Sequence, residues 1–138
     1  MTTGPQVKTE AHPAMAKHDF RSNCSIARTL EVAGDKWTLL IVRDLLWHGK
    51  QTFQALQGSA EHIPSNILSE RLKRLVDWGL VRRVPYQQNP VRYAYQLTDK
   101  GKSLEPVLLQ IMAWGHRHLG GGRYDPTTGR SYRSSAVS

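Results

Sequence analysis

The chain has 138 residues, of which 39% are hydrophobic and 8% aromatic, enough for a packed core, and the length favours one domain with tails over two, because domains usually hold about 100 to 150 residues. No apolar run approaches the roughly 18 residues that span a bilayer, so a membrane-spanning protein is excluded, and one cysteine excludes an internal disulfide or a cysteine-rich zinc site. Nineteen Lys and Arg against eleven Asp and Glu leave a net charge of +8, a standing attraction for polyanions.

Residues 1–20 carry Gly4, Pro5 and Pro13 among scattered polar residues without apolar periodicity, so they are expected to form a disordered tail. They show no basic region leading into an apolar stretch, and export by such a leader is not expected. With a lone thiol, this points to the cytoplasm. The segment 24–122 holds nearly every large apolar residue and is taken as the domain, while the Ser-, Thr-, Arg- and Gly-rich residues 123–138 read as a second disordered tail.

Ile26, Ala27, Leu30 and Ala33 recur at helical spacing and Gly34 ends a first helix. Asp35 is a good N-cap for a second helix, Trp37 to Trp47, apolar around most of its circumference and therefore the buried centre. Thr52 to Leu56 reads as a short third helix. A fourth runs from Pro64 or Ser65 to Trp78, with Leu68, Leu72, Leu75 and Val76 on one face and Asn66, Glu70, Lys73, Arg74 and Asp77 on the other. Val81 to Tyr86 and Arg92 to Thr98 are two extended runs joined by Gln87–Pro90, which predicts a β-hairpin with Tyr93, Tyr95 and Leu97 to one side; Pro85 marks an edge or a strand end. A last helix spans Ser103 to Leu119, with Pro106 tolerated in its first turn. Beyond a stripe of Leu104, Leu108, Ile111, Gly115 and Leu119 it carries Val107, Leu109, Met112 and Trp114. That is more apolar surface than a small domain covers, and a second copy is the simplest partner; a core helix buried all round is the other reading.

The stretch from Ser65 to Lys102 holds eight basic and three acidic residues, +5 of the +8. Concentrated charge on an amphipathic helix followed by a basic hairpin is what a winged helix-turn-helix needs: a helix fits the major groove and the hairpin reaches phosphate or the minor groove. The predicted fold class is therefore α+β, mainly α, a winged helix-turn-helix with a two-stranded wing.

The residues themselves resemble the HxlR-type transcriptional regulators, winged helix-turn-helix relatives of the MarR group. The resemblance rests on Cys24-Ser-Ile-Ala-Arg-Thr-Leu, Gly34-Asp-Lys-Trp-Thr-Leu-Leu-Ile, Phe53-x-x-Leu56, Ile67-Leu-Ser-Glu-Arg-Leu-Lys-Arg-Leu, Gly79-Leu-Val and Tyr95-Gln-Leu-Thr-Asp-Lys-Gly101, which follow one another in the family's order and spacing from about Cys24 to Leu119. It implies a homodimeric repressor or activator, joined through its first and last helices, that binds an inverted repeat in double-stranded DNA. Ile26, Leu30, Leu104, Leu108, Ile111, Met112 and Trp114 are the dimerisation candidates.

Ser65, Asn66, Ser69, Glu70, Lys73 and Arg74 fall in or near the matching recognition helix; Asn66 suits adenine and the basic residues guanine or phosphate. Arg71 matches a family arginine and either anchors phosphate or braces the fold. Lys36, beside helix-terminal amides, is a candidate phosphate contact with a solvated lysine as the alternative. Asn89 and Arg92 at the hairpin tip and Arg82 and Arg83 at its base are the wing candidates, although Ala94 stands where the family often has an acidic residue.

Some members of the family sense oxidants, quinones or other electrophiles through a cysteine at the position of Cys24. A thiol near free backbone amides, with Arg21 and Arg28 close in sequence, sits in the surroundings of reactive cysteines; a small packed inert thiol is the alternative. A disulfide from Cys24 must join two chains or a small thiol. No metal site, cofactor or enzymatic activity is expected: His116 and His118 do not share a helix face, no phosphate loop or nucleophile elbow occurs, and Cys24 has no histidine base nearby in sequence. The competing function is a winged-helix module that binds protein without specific DNA binding.

Overall fold

The computed structural model describes residues 18–132, divided between Lys102 and Ser103 into two compact units. The first contains α1 (Ser25–Ala33), α2 (Thr38–Trp47), α3 (Phe53–Gln57), α4 (Ser65–Asp77), β1 (Val81–Gln88), β2 (Val91–Leu97) and α5 (Asp99–Lys102). The second contains α6 (Glu105–Leu119), β3 (Arg123–Asp125) and β4 (Arg130–Tyr132).

In the first unit the helix preceded by Asp35 starts later than expected, with Trp37 as its N-cap, and Asp35 closes the turn ahead of it, while Thr52 caps α3. Asp35 Oδ2 accepts the backbone N–H of Trp37 and of Thr38, both at 3.1 Å, and Thr52 Oγ1 accepts that of Ala55 at 3.1 Å, so both turns supply the oxygen that helix amides require. Ile41 and Val42 of α2 are buried with Leu56 of α3 and Leu68, Leu72 and Leu75 of α4. The apolar spacing read from the sequence is thus the core. Gly79, with φ of +76°, turns the chain out of α4 in a left-handed conformation that glycine adopts without a Cβ penalty.

β1 and β2 pair antiparallel, with Val81 opposite Leu97 and Arg83 opposite Tyr95. The strands run further than expected, leaving only Asn89 and Pro90 between them, because Gln87 and Gln88 pair with Arg92 and Val91. Pro85 sits within β1 opposite Tyr93, and the register shifts between Pro85 and Gln87, leaving Tyr86 as the extra residue of a bulge. A two-stranded sheet is all edge, which accommodates Pro85. Ala94 is buried while Tyr93 and Tyr95 are half-buried, so the alternation predicted for β2 is only partly followed.

The wing is stitched down at its base. Thr98 Oγ1 donates to the Gly79 carbonyl at 2.7 Å and accepts the Gly101 N–H at 3.1 Å, and Tyr95 N–H donates to the Gln51 carbonyl at 2.7 Å. A Cβ on Gly101 would stand 2.1 Å from the Leu80 carbonyl oxygen, so α5, which periodicity did not reveal, can pass the end of the hairpin only with glycine there.

Two boundaries differ from expectation. Residues 1–17 of the N-terminal tail lie outside the described residues, but the tail's last residues pack: the rings of His18 and Phe20 lie 4.9 Å and 6.0 Å from that of Trp78. Arg123–Tyr132, assigned to the C-terminal tail, forms a β3–β4 hairpin in which Arg123 pairs with Tyr132 and Asp125 with Arg130. Asp125-Pro-Thr-Thr-Gly129 supplies the turn, with Thr127 N–H on Asp125 Oδ1 at 2.9 Å and Gly129 at φ of +73°; turn chemistry overrode a polar composition. Residues 133–138 are outside the described range.

Candidate nucleic-acid interface

α4 presents Ser65, Asn66, Ser69, Glu70 and Lys73 to solvent while its leucines are buried, the consequence of 3.6-residue periodicity. Beside this stripe lies an open groove of about 630 Å³ whose lining includes Asn66, Ser69, Glu70 and Lys73 of α4 and Arg83 and Tyr95 of the wing. The structure thus gathers most of the predicted recognition residues and one wing cation around a single concavity.

Other candidates are turned elsewhere. Arg71 Nε donates to Asp35 Oδ2 at 2.8 Å, and its Nη1 pairs with Glu70; with 19% of the side chain exposed, it braces α4 against the start of α2. Arg74 Nη2 donates to the Glu31 carbonyl of α1 at 3.4 Å, and its Nε lies 3.9 Å from Glu70 Oε2. Arg82 and Arg83, adjacent on β1, point to opposite faces because side chains alternate along a strand. Arg82 Nε donates to Gln96 Oε1 at 3.3 Å, whereas the Arg83 guanidinium lies 4.0 Å over the Tyr93 ring. Asn89 is at the wing tip and Arg92 three residues on, both exposed. Lys36 is exposed with Nζ 5.0 Å from the Trp37 ring centroid. The amides of Trp37 and Thr38, expected to stand free beside it, are occupied by Asp35.

Asp35 is the residue whose site role the sequence did not reveal. Burial pushes its carboxyl up, but the Thr38 hydroxyl, the Arg71 guanidinium and two backbone amides outweigh this and hold it at about 2. A second clamp fixes the turn before α4. Arg43 binds Glu61 through two bonds of 2.9 and 2.8 Å and reaches Asp44 at 3.0 Å, and buried Asp44 accepts the Ser59 hydroxyl. The Arg43 guanidinium holds Glu61 at about 2, against the opposing effect of burial. Only the capping role of Asp35 could be read locally; its partner is 36 residues away.

Cys24 is the exposed N-cap of α1, not a packed thiol. Arg21 Nε pairs with Glu31 at 3.3 Å, and Arg28 donates to the Ser22 carbonyl at 2.6 Å and to Asn23 Oδ1 at 2.9 Å. The seven dimerisation candidates divide. Ile26 and Leu30 on α1 are 71% and 56% exposed, and Ile111 and Trp114 on α6 are 52% and 60% exposed. Leu108 is buried within the chain and Leu104 and Met112 are half-buried; the Met112 sulfur accepts the Tyr124 N–H at 3.3 Å. Among the described residues, no helix is long and apolar enough to cross a membrane, and no three His, Cys, Asp or Glu side chains are grouped to hold a metal.

A short helix, a turn and a second helix with a polar outward stripe, followed by a stitched basic hairpin, define a winged helix-turn-helix protein. Comparison with known proteins gives the family. The HxlR-like helix-turn-helix family model matches residues 32–122, and the chain belongs to that family. It is 41% identical over 102 residues to the uncharacterized HTH-type transcriptional regulator MT3179 of Mycobacterium tuberculosis, a match covering 74% of this chain and 63% of that protein, so it spans less than two thirds of that relative. Among solved structures, the candidate transcription factor PA1607 aligns with a TM-score of 0.68 at 33% identity over 85% of this chain and 84% of its own. The redox regulator HypR in its oxidized form aligns with a TM-score of 0.60 at 33% identity, covering 69% and 97% respectively.

Proposed function

We propose that the chain is a cytoplasmic, sequence-specific transcription regulator, acting as a repressor, that binds an inverted-repeat operator as a homodimer. The observation that carries this reading is the exposed stripe of Asn66, Ser69, Glu70 and Lys73 beside a groove that also holds Arg83. α4 enters the major groove with Asn66 and Ser69 on base edges and Lys73 on guanine or phosphate, while Asn89 and Arg92 carry the wing along the backbone. Lys36 adds a phosphate contact. Arg71 and Asp35 set the angle of α4 without touching DNA.

A second copy covers the exposed apolar residues of α1 and of α6, placing two recognition helices on successive half-sites. Cys24, exposed at the end of α1, is the sensor: its thiolate adds to an electrophile, or is oxidised and then joins a small thiol or the same residue of the second copy. The redox regulator among the similar structures supports this role.

The test is selection of genomic fragments by the purified protein, reduced and after mild oxidation. Enrichment of an inverted repeat with half-sites about one helical turn apart, lost on oxidation and retained by oxidised Cys24→Ser, is the expected result. Binding that follows charge and salt alone, with no enriched sequence, would overturn the proposal in favour of a protein-binding module.

A further inference from the structure

The turn between α3 and α4 is pinned at three positions and open at one. Ser59 is buried with its hydroxyl on Asp44, Glu61 is held by the two bonds from Arg43, and Ile63 is buried in the core. Between Glu61 and Ile63, His62 is exposed. Its backbone N–H donates to the Ser59 carbonyl at 3.0 Å and its φ is +57°, a left-handed conformation that no other residue with a side chain adopts among the described residues. A Cβ there crowds the following carbonyl oxygen, so the position suits glycine, and a histidine in it costs stability. The chain recovers none of that cost through the ring. Among the described residues the His62 imidazole makes no hydrogen bond, ion pair or ring contact. Strain held in place by its surroundings and unrepaid within the chain is characteristic of residues that serve a partner.

The partner follows from where the ring stands. His62 comes two residues before α4, ahead of its N-cap Pro64, and the helix then opens with exposed Ser65 and Asn66. We propose that His62 is a further DNA contact, its imidazole donating an N–H to one phosphate oxygen in each half-site; this rests on the function proposed above. Phosphate is the acceptor because His62 precedes the first turn of α4, where a helix entering the major groove passes the sugar-phosphate backbone, and phosphate contacts fix how a reading helix is seated. Imidazole has an N–H to donate whether neutral or protonated. The Glu61 carboxylate next to it, which would repel phosphate, is already answered by Arg43. The bonds from Arg43 to Glu61 and from Ser59 to Asp44 thereby acquire a purpose beyond bracing the turn: they hold the backbone in the conformation that projects the ring.

His62→Gly separates this role from a structural one, because glycine relieves the left-handed backbone while removing the ring, so stability and binding should move in opposite directions. In the full chain it should unfold at an equal or higher temperature and bind both the operator duplex recovered by selection and a scrambled duplex about tenfold more weakly, as loss of a hydrogen bond to a charged group does. Replacing the operator's phosphates one at a time by uncharged methylphosphonate should then reveal one position per half-site that weakens the wild type about tenfold and His62→Gly no more than about twofold, since the contact is already gone. Lower thermal stability of His62→Gly would show that the ring serves the fold and would overturn the proposal. So would weaker binding in which every methylphosphonate affects the variant as much as the wild type, since the turn's conformation and not a phosphate contact would then be at stake. A wild type that binds DNA with His62→Gly as its equal would refute this contact alone, whereas a wild type that binds no DNA would refute the regulator reading and the contact together.

Discussion

Asp35→Ala removes a carboxylate that performs two tasks, and its cost can be worked from the geometry. In the turn that leads into α2 it accepts the backbone amides of Trp37 and Thr38, a capping-type interaction worth about 1 kcal/mol. As the partner of Arg71 at 2.8 Å it makes a charge-assisted bond of about 1.5–3 kcal/mol, at the low end because 22% of the side chain is exposed. The expected loss is about 2–3 kcal/mol; the same bonds lower its pKa from 3.8 to about 2, a fall that corresponds to about 2 kcal/mol before screening. Asp35→Asn separates the two tasks, since asparagine caps nearly as well as aspartate but offers Arg71 no charge; it should cost about half as much. Urea denaturation at pH 7, followed by tryptophan fluorescence, gives both values. A double-mutant cycle with Arg71→Ala should return about 1 kcal/mol or more of coupling. If Asp35→Ala and Asp35→Asn both fell within about 0.5 kcal/mol of the wild type, the range of ordinary surface substitutions, α4 would not be held by this pair.

Asp35 and Glu61 are both depressed to about 2 from ordinary values of 3.8 and 4.5, so they contribute stability that is complete above those ordinary values and is lost as pH falls toward 2. Denaturation midpoints should be insensitive to these groups between pH 7 and 5 and decline below about 4.5, less steeply in Glu61→Gln; equal acid slopes in the two proteins would refute the assignment. Ile111→Glu places a charge on the exposed face of α6 and should turn the proposed dimer into a monomer in sedimentation at micromolar concentration, whereas Leu108→Ala should instead lower stability by about 2–5 kcal/mol because Leu108 is buried. Cys24→Ser should leave the affinity of the reduced protein for DNA unchanged and abolish its response to oxidant, read by fluorescence anisotropy.

Elements with strong periodicity and local caps were legible in the sequence. The leucine spacing of α4 placed Leu68, Leu72 and Leu75 in the core and Asn66 and Lys73 outside because both follow from 3.6 residues per turn. The hairpin followed from alternating extended runs, but its bulge at Tyr86 did not, since a one-residue insertion leaves no compositional trace. Long-range pairing was equally silent. Nothing near Arg71 says that its guanidinium turns to Asp35 rather than outward, and nothing near Arg82 and Arg83 says which faces α4 until the register with Gln96 and Tyr95 is known. On the last helix, Leu108 and Ile111 look alike as apolar residues of one stripe, and only their packing separates a buried leucine from an exposed isoleucine. The second hairpin was missed because a turn built by Asp125 and Gly129 sits in a stretch whose composition resembles a linker.

The most direct test of the central claim, that α4 reads DNA with the stripe facing the wing groove, is the affinity of Asn66→Ala and Lys73→Ala for the selected operator and for a scrambled duplex across a range of salt. Asn66→Ala should lose about 1–3 kcal/mol on the operator and little on the scrambled duplex, since it removes a base contact. Lys73→Ala should weaken the operator and reduce the log–log salt slope by about 0.9, the release of one phosphate counterion. If both variants bound operator and scrambled duplex as the wild type does, with the same salt slope, α4 would not be the reading head and the account of this surface would be wrong.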